Sequence, residues 1–170
     1  MLVNLIGFQV AWFSCVLGSA NQQPWLGVLV GCLVLAVHLS RCDKPLFEVR
    51  LLIAASVIGL IFDGIPKSLG WISFTPVSFW PDVLPPPWMV ILWALFASTI
   101  NVSLNWLKHK NLLAILIGAI AGPVSYWSAV RLGALHFNNF ASAMLYLAIG
   151  WGIAVPVLLN IACLKDQKSF

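Results

Sequence analysis

The sequence predicts an all-α protein, a polytopic membrane helix bundle of six transmembrane helices forming one integral membrane domain over residues 1–170, with both termini in the cytoplasm. Three observations predict it. Hydrophobic residues make up 61% of the chain and charged ones 8%, with a mean hydropathy of +0.98, whereas soluble domains are about half apolar and about a quarter charged. Six apolar runs approach the length of about 20 residues that a helix needs to cross a bilayer. Polar and proline-rich breakers separate those runs, and the basic residues are sorted among the breakers.

The runs extend from about Leu2 to Ala20, Trp25 to Ser40, Val49 to Pro66, Trp88 to Leu107, Leu112 to Leu132 and Phe140 to Leu164. In the first, Gly18-Ser19-Ala20 has the small residues of a cleavage site. No Lys or Arg opens the run, however, and it is long for the core of a signal peptide, so it reads as a retained span. The second is short and has to borrow interfacial residues at its ends. Between the spans lie Asn21-Gln22-Gln23-Pro24, Asp43-Lys44-Pro45, Pro85-Pro86-Pro87, Lys108-His109-Lys110 and Asn138-Asn139, polar or proline-rich stretches that break the apolar runs.

Arg41, Lys44, Arg50, Lys108, Lys110, Lys165 and Lys168 fall on one side of this arrangement and only Lys67 and Arg131 on the other. That asymmetry puts the first set in the cytoplasm. The net charge of +4 is therefore a topology signal, because no basic patch with interleaved aromatics suggests nucleic acid. The segment from Gly64 to Pro87 becomes the largest outer loop, with Trp71, Phe74, Phe79, Trp80 and Trp88 as an aromatic belt at the membrane surface. Cys15 and Cys32 fall inside spans, Cys42 and Cys163 at cytoplasmic ends, and no CxxC occurs, so neither a disulfide nor a metal site is implied.

Helical spacing gathers small and polar residues into stripes that face other helices. Ser56, Gly59 and Asp63 share one face of the third span, and Ala94, Ser98, Asn101 and Asn105 one face of the fourth. Ala114, Gly118, Gly122 and Ser125 line the fifth, with a kink at Pro123, and Ser142, Tyr146, Gly150 and Asn160 the sixth. Asp63 and Arg131 stand out, since a charge at the hydrocarbon edge is costly enough to seek a partner. The reading pairs them across the outer ends of the third and fifth spans. Ser125, Tyr126, Tyr146 and His136 are candidates to complete a polar cluster that either fastens helices or holds a ligand. Asn4, His38, Asn105 and Asn160 fall towards the cytoplasmic ends. There His38, with no second imidazole or carboxylate at ligand spacing, reads as a helix cap rather than a metal ligand.

Catalytic signatures are missing: HExxH, GxSxG, a P-loop and paired carboxylates within a turn of each other do not occur. Gly122-Pro123-Val124-Ser125-Tyr126 lacks the following glycine and the later histidine of an intramembrane serine protease. No cofactor is implied.

Asp63, the segment PPPWMVILWALFAST, the SLNWL of Ser103 to Leu107 and the AGPVSYWSAVRLGA of Ala121 to Ala134 resemble, in order and over nearly the whole chain, a bacterial family of small inner-membrane proteins whose domain has no known function. The resemblance implies a bacterial inner-membrane protein whose relatives are often encoded beside fatty-acid-modifying enzymes, such as a cyclopropane synthase. In architecture the chain is also similar to the rod-shape membrane protein and to the substrate-capturing subunits of energy-coupling transporters, which lodge a ligand or partner between helices. The favoured function is a non-catalytic membrane subunit that binds a partner protein or an apolar, lipid-like molecule. The alternatives are an intramembrane lipid-modifying enzyme, with Asp63, His136 or Tyr146 as acid or base, and a small-solute transporter.

Overall fold

Prolines open three of the helices. Pro24, Pro45 and Pro87 stand in the first turn of α2 (Pro24–Ser40), α3 (Pro45–Ser68) and α4 (Pro87–Ile100), where a missing N–H costs nothing and the fixed φ suits the helix. The computed structural model describes the backbone of residues 1–167 and the side chains of residues 1–163, so Lys168 and the side chain of Lys165 lie outside the described residues. Within it, α1 (Leu2–Ala20), α5 (Asn111–Arg131) and α6 (Phe140–Gln167) complete an all-helical bundle. Four helices, α1, α3, α5 and α6, are long and apolar enough to cross a membrane, while α2 and α4 are shorter.

The helices alternate in direction. Met1, the α2–α3 turn and the end of α4 meet at one face, where Ser103 reaches Met1 and Asn101 reaches Glu48. The loops holding Arg41, Lys44, Lys108 and Lys110 lie at this basic face. At the opposite face α3 and α5 each end in a glycine of positive φ, Gly70 and Gly133. In both, the next amide bonds back five residues, Trp71 to Pro66 and Ala134 to Ala129, which closes the last helical turn. Each chain then enters a three-residue strand, β1 (Ile72–Phe74) or β2 (Leu135–Phe137), and the two pair antiparallel with Ser73 opposite His136. Lys67 fastens the remaining loop by donating to the carbonyls of Asp82 and of Leu84, the latter at 2.6 Å.

At the centre stands α4, packed against α1, α2, α3 and α6 and buried on nearly every side. A helix apolar all round belongs in such a place. It ends at Ile100 rather than continuing to Leu107 as its hydropathy predicts. Asn101 closes it, and a turn and a short 3-10 segment (Asn105–Leu107) follow, leaving Asn105 exposed instead of on the α4 stripe. Asn160 is likewise exposed, away from Tyr146 and Gly150. Of the expected aromatic belt, Phe79 is fully exposed, but Trp88 is buried in the core as part of the first turn of α4.

Candidate functional site

Asp63 is 1% exposed. Because α3 continues through Pro66 to Ser68, the carboxyl lies about 8 Å below the helix end, at 1.5 Å per residue. Trp93 Nε1 on α4 donates to Oδ2 at 2.9 Å and Tyr126 OH on α5 donates to Oδ1 at 2.5 Å. These bonds correct the expected pairing with Arg131. That side chain stands exposed in the last turn of α5 and has no acidic partner among the described residues. The physical reason is the relative cost of burial. A compact carboxyl can be satisfied by two neutral donors, whereas a guanidinium with five N–H groups keeps its solvation by turning outward.

Of the other residues expected around Asp63, only Tyr126 touches it. Tyr146 donates instead to the Phe62 carbonyl at 2.8 Å, Ser125 accepts from Trp12 Nε1 at 3.1 Å, and His136 is exposed on β2. The small residues act as sockets for aromatic rings. A Cβ on Gly59 would strike the Trp93 indole, one on Gly150 the Phe62 ring and one on Gly122 the Trp151 side chain; Gly118 backs onto the Trp151 backbone. Trp93 and Trp151 stack with centroids 4.6 Å apart and planes 13° apart. Ser56, half-buried, continues the α3 face, and Ser98 is buried with its hydroxyl on the Leu95 carbonyl.

Beside this aromatic wall a half-enclosed cavity of about 720 Å³ runs between α1, α4, α5 and α6. Met89, Leu92 and Phe96 line it from α4, and Ile117, Tyr126 and Trp151 from α5 and α6. Its mouth is on the flank of the bundle, where Phe13, Val124 and Trp127 are exposed, and the Trp12–Ser125 bond crosses between α1 and α5. Ser128 and Arg131 also line it, towards the ribbon face. Asp63, His136 and Tyr146 do not.

A second polar cluster sits at the basic face. Glu48, in the first turn of α3, is 2% exposed. Its Oε2 lies 3.4 Å from His38 Nε2 and its Oε1 accepts from Asn101 Nδ2 at 2.7 Å. Cys42 Sγ is 3.5 Å from the same His38 nitrogen. The donor atoms of His38, Cys42 and Glu48 all lie within 4.8 Å of one another, an arrangement able to hold a metal ion. This corrects the reading of His38 as a cap without a carboxylate in reach. Alongside, Asn4 donates to the Ser98 carbonyl at 3.1 Å and accepts from Ser103 at 2.6 Å, closing the open end of α4.

Over residues 1–157 the chain matches the family described as a protein of unknown function, DUF2878. It belongs to that family. No curated protein and no solved structure matches it. The DUF2878 match spans both clusters and every cavity-lining residue named above.

Sequence reasoning missed Glu48, Cys42, Trp93 and Trp12 in this DUF2878 chain. The first two lie in a charged stretch that reads as a solvated connection, although Pro45 marks a helix start that puts Glu48 inside the first turn. The tryptophans count as apolar in a hydropathy reading, yet each carries the N–H that a buried acceptor requires.

Proposed function

We propose that this protein is a non-catalytic, multi-pass membrane protein that binds a lipid-like molecule bearing one acidic group. The apolar chain lies in the lateral cavity and the acidic head meets Arg131. The carrying observation is the cavity itself: its volume is in the range of ligand sites, its walls are aromatic and aliphatic, and it has the Arg131 side chain at one end and a mouth on the bundle's flank. In a bilayer that mouth opens to lipid, so an amphiphile enters sideways while its head stays at the interface. Binding is favoured over catalysis because Asp63, His136 and Tyr146, the candidate acids and bases, do not line this cavity.

The membrane setting that goes with this reading is six spans with both termini in the cytoplasm of a bacterial inner membrane. Support comes from the sorting of basic residues and from the family resemblance. The 14 residues of α4 cover only about 21 Å of a core about 30 Å thick. It is surrounded by other helices, however, and non-helical backbone is tolerated at membrane depth when protein covers it. Lipid-metabolic or envelope-stress proteins are the partners this reading favours.

The test is binding of oleate and of oleyl alcohol to the purified protein in nanodiscs, followed by native mass spectrometry. Oleate is expected to bind stoichiometrically and to be lost in Ala121→Trp, which fills the mouth. Arg131→Gln should abolish the preference for oleate over the alcohol. Oleate binding that neither substitution changes, or no binding at all, would overturn the proposal.

A further inference from the structure

We propose that His38, Cys42 and Glu48 bind one zinc-class divalent cation at the basic face, independently of the lateral cavity. Imidazole, thiolate and carboxylate together form a donor set that zinc accepts. For a tetrahedral ion with metal–nitrogen and metal–oxygen bonds of about 2.0–2.1 Å and a metal–sulfur bond of about 2.3 Å, the N···O edge is about 3.4 Å and the N···S edge about 3.6 Å. The corresponding separations here are 3.4 Å and 3.5 Å. The third edge, from thiol to carboxylate, is within 4.8 Å. The Cys42 thiol now donates to the His38 carbonyl at 3.2 Å, a bond it gives up when the sulfur turns onto the ion.

The surroundings suit a metal site as well. Glu48 divides its oxygens, Oε2 towards His38 and Oε1 to the Asn101 amide, and the latter is the orienting bond that ligating carboxylates usually carry. Asn101 Oδ1 is buried and has no hydrogen-bond partner. Leaving such an oxygen unmatched is costly, and a metal-bound water in the fourth position would supply its donor. The three ligands come from the end of α2, the turn after it and the start of α3, while Asn101 closes α4. A bound cation therefore ties together the three elements that meet at this face.

The experiment is a cobalt titration of the full-length protein in detergent, after chelation and under reducing conditions. The expected result is one equivalent of Co²⁺, with a thiolate-to-cobalt charge-transfer band and the strong visible bands of a tetrahedral ion, all displaced by Zn²⁺. Cys42→Ser should remove the charge-transfer band. Asn101→Ala should weaken binding by about 10-fold or more, the usual cost of losing an outer-shell partner. Absence of these bands would overturn the proposal. So would a band that persists in Cys42→Ser and disappears in Cys163→Ser, because Cys163 lies 4.0 Å from His109 and would then be the ligand. X-ray absorption of the zinc-loaded wild type gives a readout free of folding effects in the variants: one sulfur with nitrogen and oxygen neighbours supports the site, and a shell without sulfur refutes it.

Discussion

Tyr126 of α5 donates to Asp63 of α3 at 2.5 Å, joining two helices that pack mainly on α4 and α6 rather than on each other. Trp93 supplies the other donor from α4, so one carboxyl gathers three helices at a single point. Both donors hold the aromatic wall beside the lateral cavity, since Trp93 stacks on Trp151 and Tyr126 lines the cavity itself. The acidic residue in an apolar run thus holds the wall of the lateral cavity without lining it.

Removing the phenol hydroxyl tests this junction. Tyr126→Phe should destabilise the protein by about 1–2 kcal/mol, the range for a buried bond to a polar group between membrane helices. Asp63→Asn should also destabilise it, because the amide presents N–H groups to one of the two donors. The double variant should cost less than the sum, as expected for residues in direct contact. Arg131→Gln should leave the thermal midpoint in detergent unchanged. A matching loss for Arg131→Gln, coupled to Asp63→Asn, would restore the ion pair instead.

How much of this was legible beforehand depends on which forces decide each element. Helix positions follow from apolar length and from prolines at N1, both local, and were readable to within a few residues for α1, α2, α5 and α6. The end of α4 was not. Asn101 and Asn105 keep helical spacing, but the contacts that stop the helix come from Asn4 and Glu48, far away in sequence. The β1–β2 ribbon escaped notice because three residues carry no period, and its pairing joins segments on either side of two helices. For Asp63 the inward direction was legible and Tyr126 was among the residues expected around it, but the depth of its burial and the Trp93 donor were not. A charge invites the search for an opposite charge, while burial selects neutral donors that hydropathy counts as apolar.

Glycine sockets give a contrast between two positions five residues apart on α3. In Gly59→Ala the new Cβ would occupy the space of the Trp93 indole, which cannot retreat without loosening its bond to Asp63 and its stack on Trp151. The expected loss is about 1–3 kcal/mol from overpacking. Gly64 has open space where its Cβ would stand, so Gly64→Ala should be neutral or stabilising by up to about 1 kcal/mol. Unfolding midpoints of the two variants measured side by side decide the matter; equal effects would contradict the socket.

The Trp12–Ser125 bond is the polar clasp across the cavity mouth. Trp12→Phe and Ser125→Ala should each speed the reaction of a cysteine placed at Ile117, a half-buried position lining the cavity, with a membrane-soluble maleimide, in a background without the native cysteines. Neither should change labelling of a cysteine at Ile53, an exposed position on α3. A rate unchanged at Ile117 would mean that the clasp does not govern access.

Sidedness turns on α4, the shortest helix and the one least able to span by length alone. Phe79 precedes it and Asn105 follows it, and both are exposed. With the native cysteines replaced, Phe79→Cys should react with an impermeant maleimide from outside intact cells. Asn105→Cys should react only after the membrane is opened. This pattern requires the segment between them to cross the bilayer and puts the basic face inside, as the sorting of Lys and Arg demands. Labelling of both from the same side would make α4 a re-entrant segment held within the bundle, leaving an odd number of crossings. Reversed labelling would keep the fold and turn it over, and the Arg131 end of the cavity would then meet the inner leaflet.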